Sequence, residues 1–226
     1  VVLRSSALTT VEAVKADQGS ASGLEARTRQ DNVDSRLERL IEASSEEIRN
    51  YCNRNFEHVE DHQEFVSSSG NRYIRLMHAP IESVDKIEWV DRSTGDVIQE
   101  IERWGIEDAE AGLIYRPELF PFYVGAQGFD LLVSDRINAR LRVTYTGGFV
   151  TPTQAAVMTD PPDRTLPFAV EEVCVREVIT RFWGRNRNRE IETSTSNNAT
   201  SVYRERRGLL PSSQGALQPF WLGLPS

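Results

Sequence analysis

The spacing of apolar positions changes twice along the chain and divides it into helical, strand-like and helical again. From Asp31 to Phe56, the residues Val33, Leu37, Leu40, Ile41, Ser44, Ile48, Tyr51 and Cys52 recur every three or four positions. That period lays them on one helical face, while Arg36, Glu38, Arg39, Glu42, Glu46, Glu47 and Arg49 take the other. The pattern predicts one long helix near 31–54, about 35 Å in length at 1.5 Å per residue, capped by Asp31 or Asn32. Upstream, Thr9-Thr10-Val11-Glu12 has the form of a capping box with Thr9 at the N-cap, opening a short helix over 9–16. Residues 17–30 are polar with two glycines and read as a linker.

From His62 to Phe149 the period falls to two. Short strands are predicted at Tyr73–Leu76, around Val84, Ile87 and Trp89, and at Leu113–Tyr115. Gly95 and Gly112 supply the turns. The clearest strand runs from Ala139 to Thr146: Leu141, Val143 and Tyr145 face one way, Arg140, Arg142 and Thr144 the other. Pro117 to Asp130 is aromatic and rich in Pro and Gly, an excursion from the sheet.

Helical spacing returns at Pro167, placed in a first turn, where a missing N–H does no harm. Val170, Val173, Cys174, Val178, Ile179, Phe182 and Trp183 form its stripe, and Gly184 ends it. This helix, 167–184, should pack against the first long one. Arg185 to Thr200 is polar, and Leu209 to Ser226 is apolar and punctuated by proline. The expected class is α+β: a small helical bundle with a central antiparallel β region and an extended C-terminal tail. The division expected is a domain over 1–188 and an arm over 189–226.

Composition narrows the function. Of 226 residues, 39% are hydrophobic, mean hydropathy is −0.44 and net charge is −8. That argues against a simple DNA-coating protein, which needs a dominant basic patch. Charge is uneven: Asp85–Glu118 holds ten acids against four bases, and Arg176–Arg207 eight bases against four acids. Cys52 and Cys174 each fall on an apolar helical stripe, as buried thiols do. Residues 1–7 lack a charged-then-apolar leader, and no apolar run nears the roughly 20 residues of a membrane span, so synthesis in a cytoplasm with no membrane partner is expected.

Candidate chemistry is sparse. His58 and His62, with Glu60, Asp61 and Glu64 nearby, could share a metal only on a helix. On a strand, i and i+4 stand about 13 Å apart, and a polar strand edge is the simpler reading. His78 reads as a turn residue. Glu46-Glu47 and Glu171-Glu172 are neighbours on helices and cannot face each other across a substrate. Neither cysteine has an activating histidine nearby in sequence, and no nucleophile elbow or phosphate loop occurs. The expectation is a chain that is not an enzyme, with no metal and no cofactor. Arg185, Arg187 and Arg189 could meet phosphates or a neighbour's acids, or serve as a solvated helix end. Leu209, Leu210, Phe220, Trp221 and Leu222 either fold back or bury themselves in a partner.

One set of motifs runs through Leu8-Thr9-Thr10-Val11-Glu12-Ala13-Val14-Lys15, then Leu40-Ile41-Glu42-Ala43-Ser44 with Tyr51-Cys52-x-Arg54-x-Phe56. It continues with Arg75-Leu76, Pro80-Ile81-x-Ser83-Val84-x-x-Ile87 and Arg142-Val143-x-Tyr145-x-Gly147-Gly148-Phe149. It ends with Leu166-Pro167 and Leu209-Leu210-Pro211 to Phe220. In this order and spacing the set resembles the head–tail connector (adaptor, or head-completion) proteins of long-tailed bacteriophages. The longer loop at 17–30, the 117–130 insertion and the tail beyond Phe220 depart from the pattern.

The resemblance implies a ring of identical subunits, dodecameric by the same likeness, under the portal of a filled capsid in a virion neck. The portal protein and a downstream neck or tail protein would be its partners, and genomic DNA would pass through its lumen. In that setting Arg185, Arg187, Arg189, Leu209, Leu210, Phe220, Trp221 and Leu222 would meet the portal or a neighbouring subunit, and Asp85, Glu88 and Glu100 would be channel-facing acids. Other readings are a stopper or tail-completion protein of the same neck, a metal-binding or enzymatic module built on His58/His62, and a binding module outside any particle.

Overall fold

The computed structural model describes residues 3–17, 30–67, 70–91, 94–121, 139–157, 165–184, 193–196, 199–202 and 208–222. In chain order the elements are α1 (Val11–Asp17), α2 (Gln30–Cys52), β1 (Val59–Val66), β2 (Tyr73–Arg75), β3 (Ile81–Asp91), β4 (Val97–Glu100), β5 (Gly105–Asp108), β6 (Leu113–Tyr115) and β7 (Ala139–Gly147). There follow α3 (Pro152–Val157), α4 (Phe168–Gly184), β8 (Thr193–Ser196), β9 (Ala199–Val202) and α5 (Pro211–Leu217), with a 3-10 turn over Gln218–Phe220. The class is α+β, as the periodicities predict. Two compact units form: Val1–Asn53 with Val150–Trp221, and Arg54–Phe149 with Leu222–Ser226. This differs from a division at residue 188, because α5 packs on α4 inside the first unit.

In the helical unit, α2 packs on α4. Val33, Leu37, Ile41, Ile48 and Cys52 from α2 are buried, as are Val170, Val173, Cys174 and Val178 from α4. Polar groups seal the contact. Arg36 donates to the Phe182 carbonyl at 2.8 Å and lies over the Phe182 ring. Ser45 Oγ accepts from the Leu8 N–H and sits 3.6 Å from Cys174 Sγ. Both cysteines are buried free thiols. Burial pushes the Cys174 thiol up to about 12, so it is inert filling rather than a nucleophile. The cap of α1 is shifted by one residue from the expected box: Thr10, not Thr9, receives the Ala13 N–H. Thr9 is buried and donates instead to Glu171 on α4, a long-range contact no local pattern encodes. Where the stretch 185–200 is described, it pairs β8 with β9 in an antiparallel hairpin rather than running extended.

The β unit has a four-stranded antiparallel sheet in the order β1-β7-β3-β4 and a three-stranded one in the order β2-β6-β5. The strand with the cleanest alternation, β7, is central in the larger sheet, and its Leu141, Val143 and Tyr145 are buried. With Ile87 and Trp89 they form one core with Ile74 and Ile114 of the smaller sheet. At the edge, β4 is exposed throughout, including Val97 and Ile98. The insertion is described only to Pro121: Phe120 is buried and Leu119 exposed, and residues 122–138 lie outside the described residues.

Two separated motifs meet in this unit. Arg54 is buried, donates to the Ala79 carbonyl and stacks its guanidinium on both Phe56 and Phe149. Phe149 N–H donates to the Phe56 carbonyl at 2.8 Å, and Gly148 N–H to the Pro80 carbonyl at 2.8 Å. The glycines between are required by contact. A Cβ on Gly147 would stand 2.6 Å from the His78 oxygen, and one on Gly148 2.1 Å from the Glu57 oxygen, at a φ of +97°. Gly148→Ala should therefore lower stability by about 2–4 kcal/mol. Gly95→Ala, with φ +80° but open space around it, should lower it by only about 1 kcal/mol. Urea melts of the two variants check this, and equal losses would show that the close approach at Gly148 carries no weight.

Candidate functional site

The expected partner-binding residues divide by burial. Leu209 and Leu222 are buried, Leu210 and Phe220 are half-buried, and Trp221 is 48% exposed. Pro211 starts a helix that the proline punctuation and the poor helix formers of PSSQGAL had made to read as extended. It is held by tertiary contacts. Buried Glu177 on α4 accepts the Leu210 N–H at 2.7 Å, the Tyr51 hydroxyl of α2 donates to the Gln214 carbonyl at 3.2 Å, and Ser213 and Leu217 are buried. The expected extended tail is thus corrected: over 209–220 it folds back on the helical unit. Of its large apolar side chains, Trp221 is the one classed as exposed. Arg185, Arg187 and Arg189 lie outside the described residues. Three other large apolar side chains of this unit are exposed: Phe168, 78% exposed at the start of α4, Val157, 81% exposed at the end of α3, and Trp183 near the end of α4.

The expected channel acids also divide. Asp85 on β3 and Glu100 on β4 are exposed. Glu88 is not a free surface charge: it is buried, opposite Arg142 in the ladder, and accepts from Arg142 Nε at 2.8 Å and Lys86 Nζ at 3.1 Å. Burial by itself would raise its carboxyl, but the bonds from Arg142 and Lys86 outweigh burial and hold it below its ordinary 4.5.

The histidines are rearranged relative to the expected pair. His58 lies 3.3 Å from Glu82. His62 instead meets His78, ring centroids 4.6 Å apart, and stands opposite Tyr145 in the β1–β7 register. His78, expected in an open turn, is buried in a polar cluster. Tyr145 Oη donates to Glu64 at 2.5 Å, accepts the His78 backbone N–H at 3.2 Å and lies 3.1 Å from His78 Nδ1. Glu64 also accepts the Met77 N–H at 3.1 Å, and Glu57 lies 3.9 Å from His78 Nε2. Burial, then the neighbouring His78, lower the His62 pKa against the opposing pull of Glu64 and Glu57. Burial and the Glu64 charge push the Tyr145 phenol up, so it remains a donor. The one sequence signal for the cluster is His62-x-Glu64, the strand spacing that puts two side chains on one face.

No family model matches the chain, and no curated protein does. Solved structures do. A chain of the virion of a native gene transfer agent (GTA) particle superposes with a TM-score of 0.54 at 12% identity, over 100% of this chain and 94% of that one. A chain of the neck of an empty GTA particle, computed with C6 symmetry, superposes with a TM-score of 0.56 at 13% identity, over 100% and 94%. At such identities the likeness is one of fold, and it spans the whole sequence.

The Glu88 contacts set a sign for acid stability. Because its carboxyl is depressed in the fold, its contribution is whole above the ordinary 4.5 and drains away as pH falls through the folded value. Glu88→Gln should lower stability at neutral pH, and its urea midpoint should converge on the parent's toward pH 3. A gap that widens on acidification would contradict the Arg142–Lys86 clamp.

Proposed function

We propose that this chain is a structural subunit of the neck of a phage-like particle, a head–tail adaptor that forms a ring beneath the portal, extends the DNA channel and docks the next neck or tail component. The observation that carries the reading is the full-length fold likeness to chains of a GTA virion and a GTA neck. The order of connector-like motifs agrees with it independently. So does the physical make-up: the residues that carry the motif, Arg54, Phe56, Gly147, Gly148 and Phe149, serve backbone approach and stacking.

A closed ring of identical chains needs two different surfaces that fit each other, because each subunit meets its neighbours head to tail. Exposed apolar anchors on the helical unit (Val157, Phe168, Trp221) and on the β unit (Phe65, Tyr73, Leu119) supply such surfaces. Trp221, at the end of a segment already folded onto its own unit, would meet the portal or a neighbouring subunit without ordering a long arm first. Leu209 and Leu210 hold that segment in place and act on docking only through it. In this reading the ring is dodecameric, and Arg185, Arg187 and Arg189 add charge contacts to the portal or the next subunit. A stopper or tail-completion role belongs to the same neck; the helical unit built on α2 and α4 favours the adaptor.

Two experiments follow. Removing the gene should leave DNA-filled heads without tails, and the chain should be found by mass spectrometry in purified complete particles; tailed, infective or transducing particles without it would overturn the proposal. Trp221→Ala should give a folded chain whose attachment to heads is weakened by about 2 kcal/mol or more, roughly 30-fold, the loss expected of an interface anchor. Undiminished attachment would remove Trp221 from the interface. Asp85 and Glu100, lining the lumen, would repel phosphate and let DNA slide. Reversing both to lysine should slow DNA release, and unchanged release kinetics would exclude the acidic lumen.

A further inference from the structure

We infer that His62, Glu64 and His78 form a binding site for a divalent transition metal of the zinc class, which staples the edge strand β1 to the turn between β2 and β3. The inference stands apart from the neck reading and rests on four observations.

Two imidazoles and one carboxylate converge, with one ligand atom from each lying within 4.8 Å of the others. A tetrahedral zinc with bonds near 2.0–2.1 Å holds neighbouring ligand atoms about 3.4 Å apart. The set therefore closes on a metal with side-chain shifts of about 1 Å, which rotation within a rotamer well supplies. This donor set, nitrogen with one oxygen and an open fourth position, suits zinc and its relatives rather than calcium or magnesium, which take oxygen.

The ligands are held from outside. Glu64 is oriented by the Tyr145 hydroxyl at 2.5 Å and the Met77 N–H at 3.1 Å, and its remaining lone pairs are free to bind. Whichever nitrogen of His78 takes the metal, the other keeps a neighbour: Tyr145 Oη lies 3.1 Å from Nδ1 and Glu57 Oε1 3.9 Å from Nε2. Such outer contacts are what fix tautomer and ring direction in metal sites.

The charges balance. Two neutral imidazoles, Glu64 and a dication leave one positive charge, and half-buried Glu57 beside His78 offsets it.

The location has a purpose. Among the described strands, β1 lies at the edge of its sheet, paired with β7. His62 and Glu64 come from β1, and His78 comes from the segment that accepts the Asn55 N–H through Met77 and bridges Asn55. A metal here cross-links an edge strand to a segment without regular structure, where a small β unit gains most from a staple.

The test uses the full chain, stripped with chelator and dialysed against zinc. One zinc per chain is expected by mass spectrometry of metals, with a rise in melting temperature of several degrees. Cobalt should give the intense visible bands of a tetrahedral nitrogen–oxygen site, displaced by zinc. His62→Gln, at a half-buried position, should weaken zinc binding by about 100-fold or more and abolish the thermal shift, while His58→Gln, outside the cluster, should keep both. A parent chain that retains no zinc and gives only the pale spectrum of octahedral cobalt overturns the site without reference to any variant. So does zinc binding undiminished in both His62→Gln and Glu64→Gln.

Discussion

The packing of α2 on α4 is the contact on which the rest of this chain depends. It joins residues far apart in sequence: Ser45 and Cys174, which touch across it, are 129 positions apart. Everything between Arg54 and Phe149, the whole of the β unit's sheets, is inserted between the two halves of the helical unit. The helical unit cannot close until both halves are present, and loop closure over such a length is costly only logarithmically. Apolar stripes on both helices repay it, and the secondary contacts follow: Thr9 on Glu171, Lys15 on Asp34 at 2.7 Å, and α5 on α4 through Glu177. The C-terminal segment is thus tied to the helix pair it packs on, with Trp221 left exposed at its end.

The two periodicities were the most legible part of the sequence. The three-four stripes gave α2 and α4 because each buries one broad face against the other, and β7 announced itself because a central strand with one face in the core must alternate. What could not be read follows from contacts that cross the chain. Thr9 and Thr10 are interchangeable by local rules; the cap fell to Thr10 because Thr9 is drawn to Glu171. The helix at Pro211 has weak intrinsic propensity, with two serines and a glycine, and exists because α4 and Tyr51 hold it. Periodicity says nothing of position in a sheet: β4 is an edge strand and leaves Val97 and Ile98 in solvent.

The polar residues were harder still. Sequence spacing joined His58 to His62, while register joined His62 to Tyr145 and brought in His78, sixteen residues on. Glu88 looked like one acid among many in an acidic stretch, and the ladder made it the buried partner of Arg142. By contrast, the glycines and aromatics of the connector-like motifs have a reason that geometry makes plain: backbones approach too closely for a Cβ at Gly147 and Gly148, and the Arg54 guanidinium packs against both the Phe56 and Phe149 rings.

The account as a whole treats this chain as a part that works by shape, through surfaces buried against copies of itself and its neighbours. The most direct test is a symmetry-averaged electron cryomicroscopy map of the neck of particles that carry it. The account predicts a closed ring of this chain directly beneath the portal, with Trp221 buried at a contact and the exposed apolar side chains of one subunit covered by the next. A map in which the neck contains no ring of this chain would contradict it.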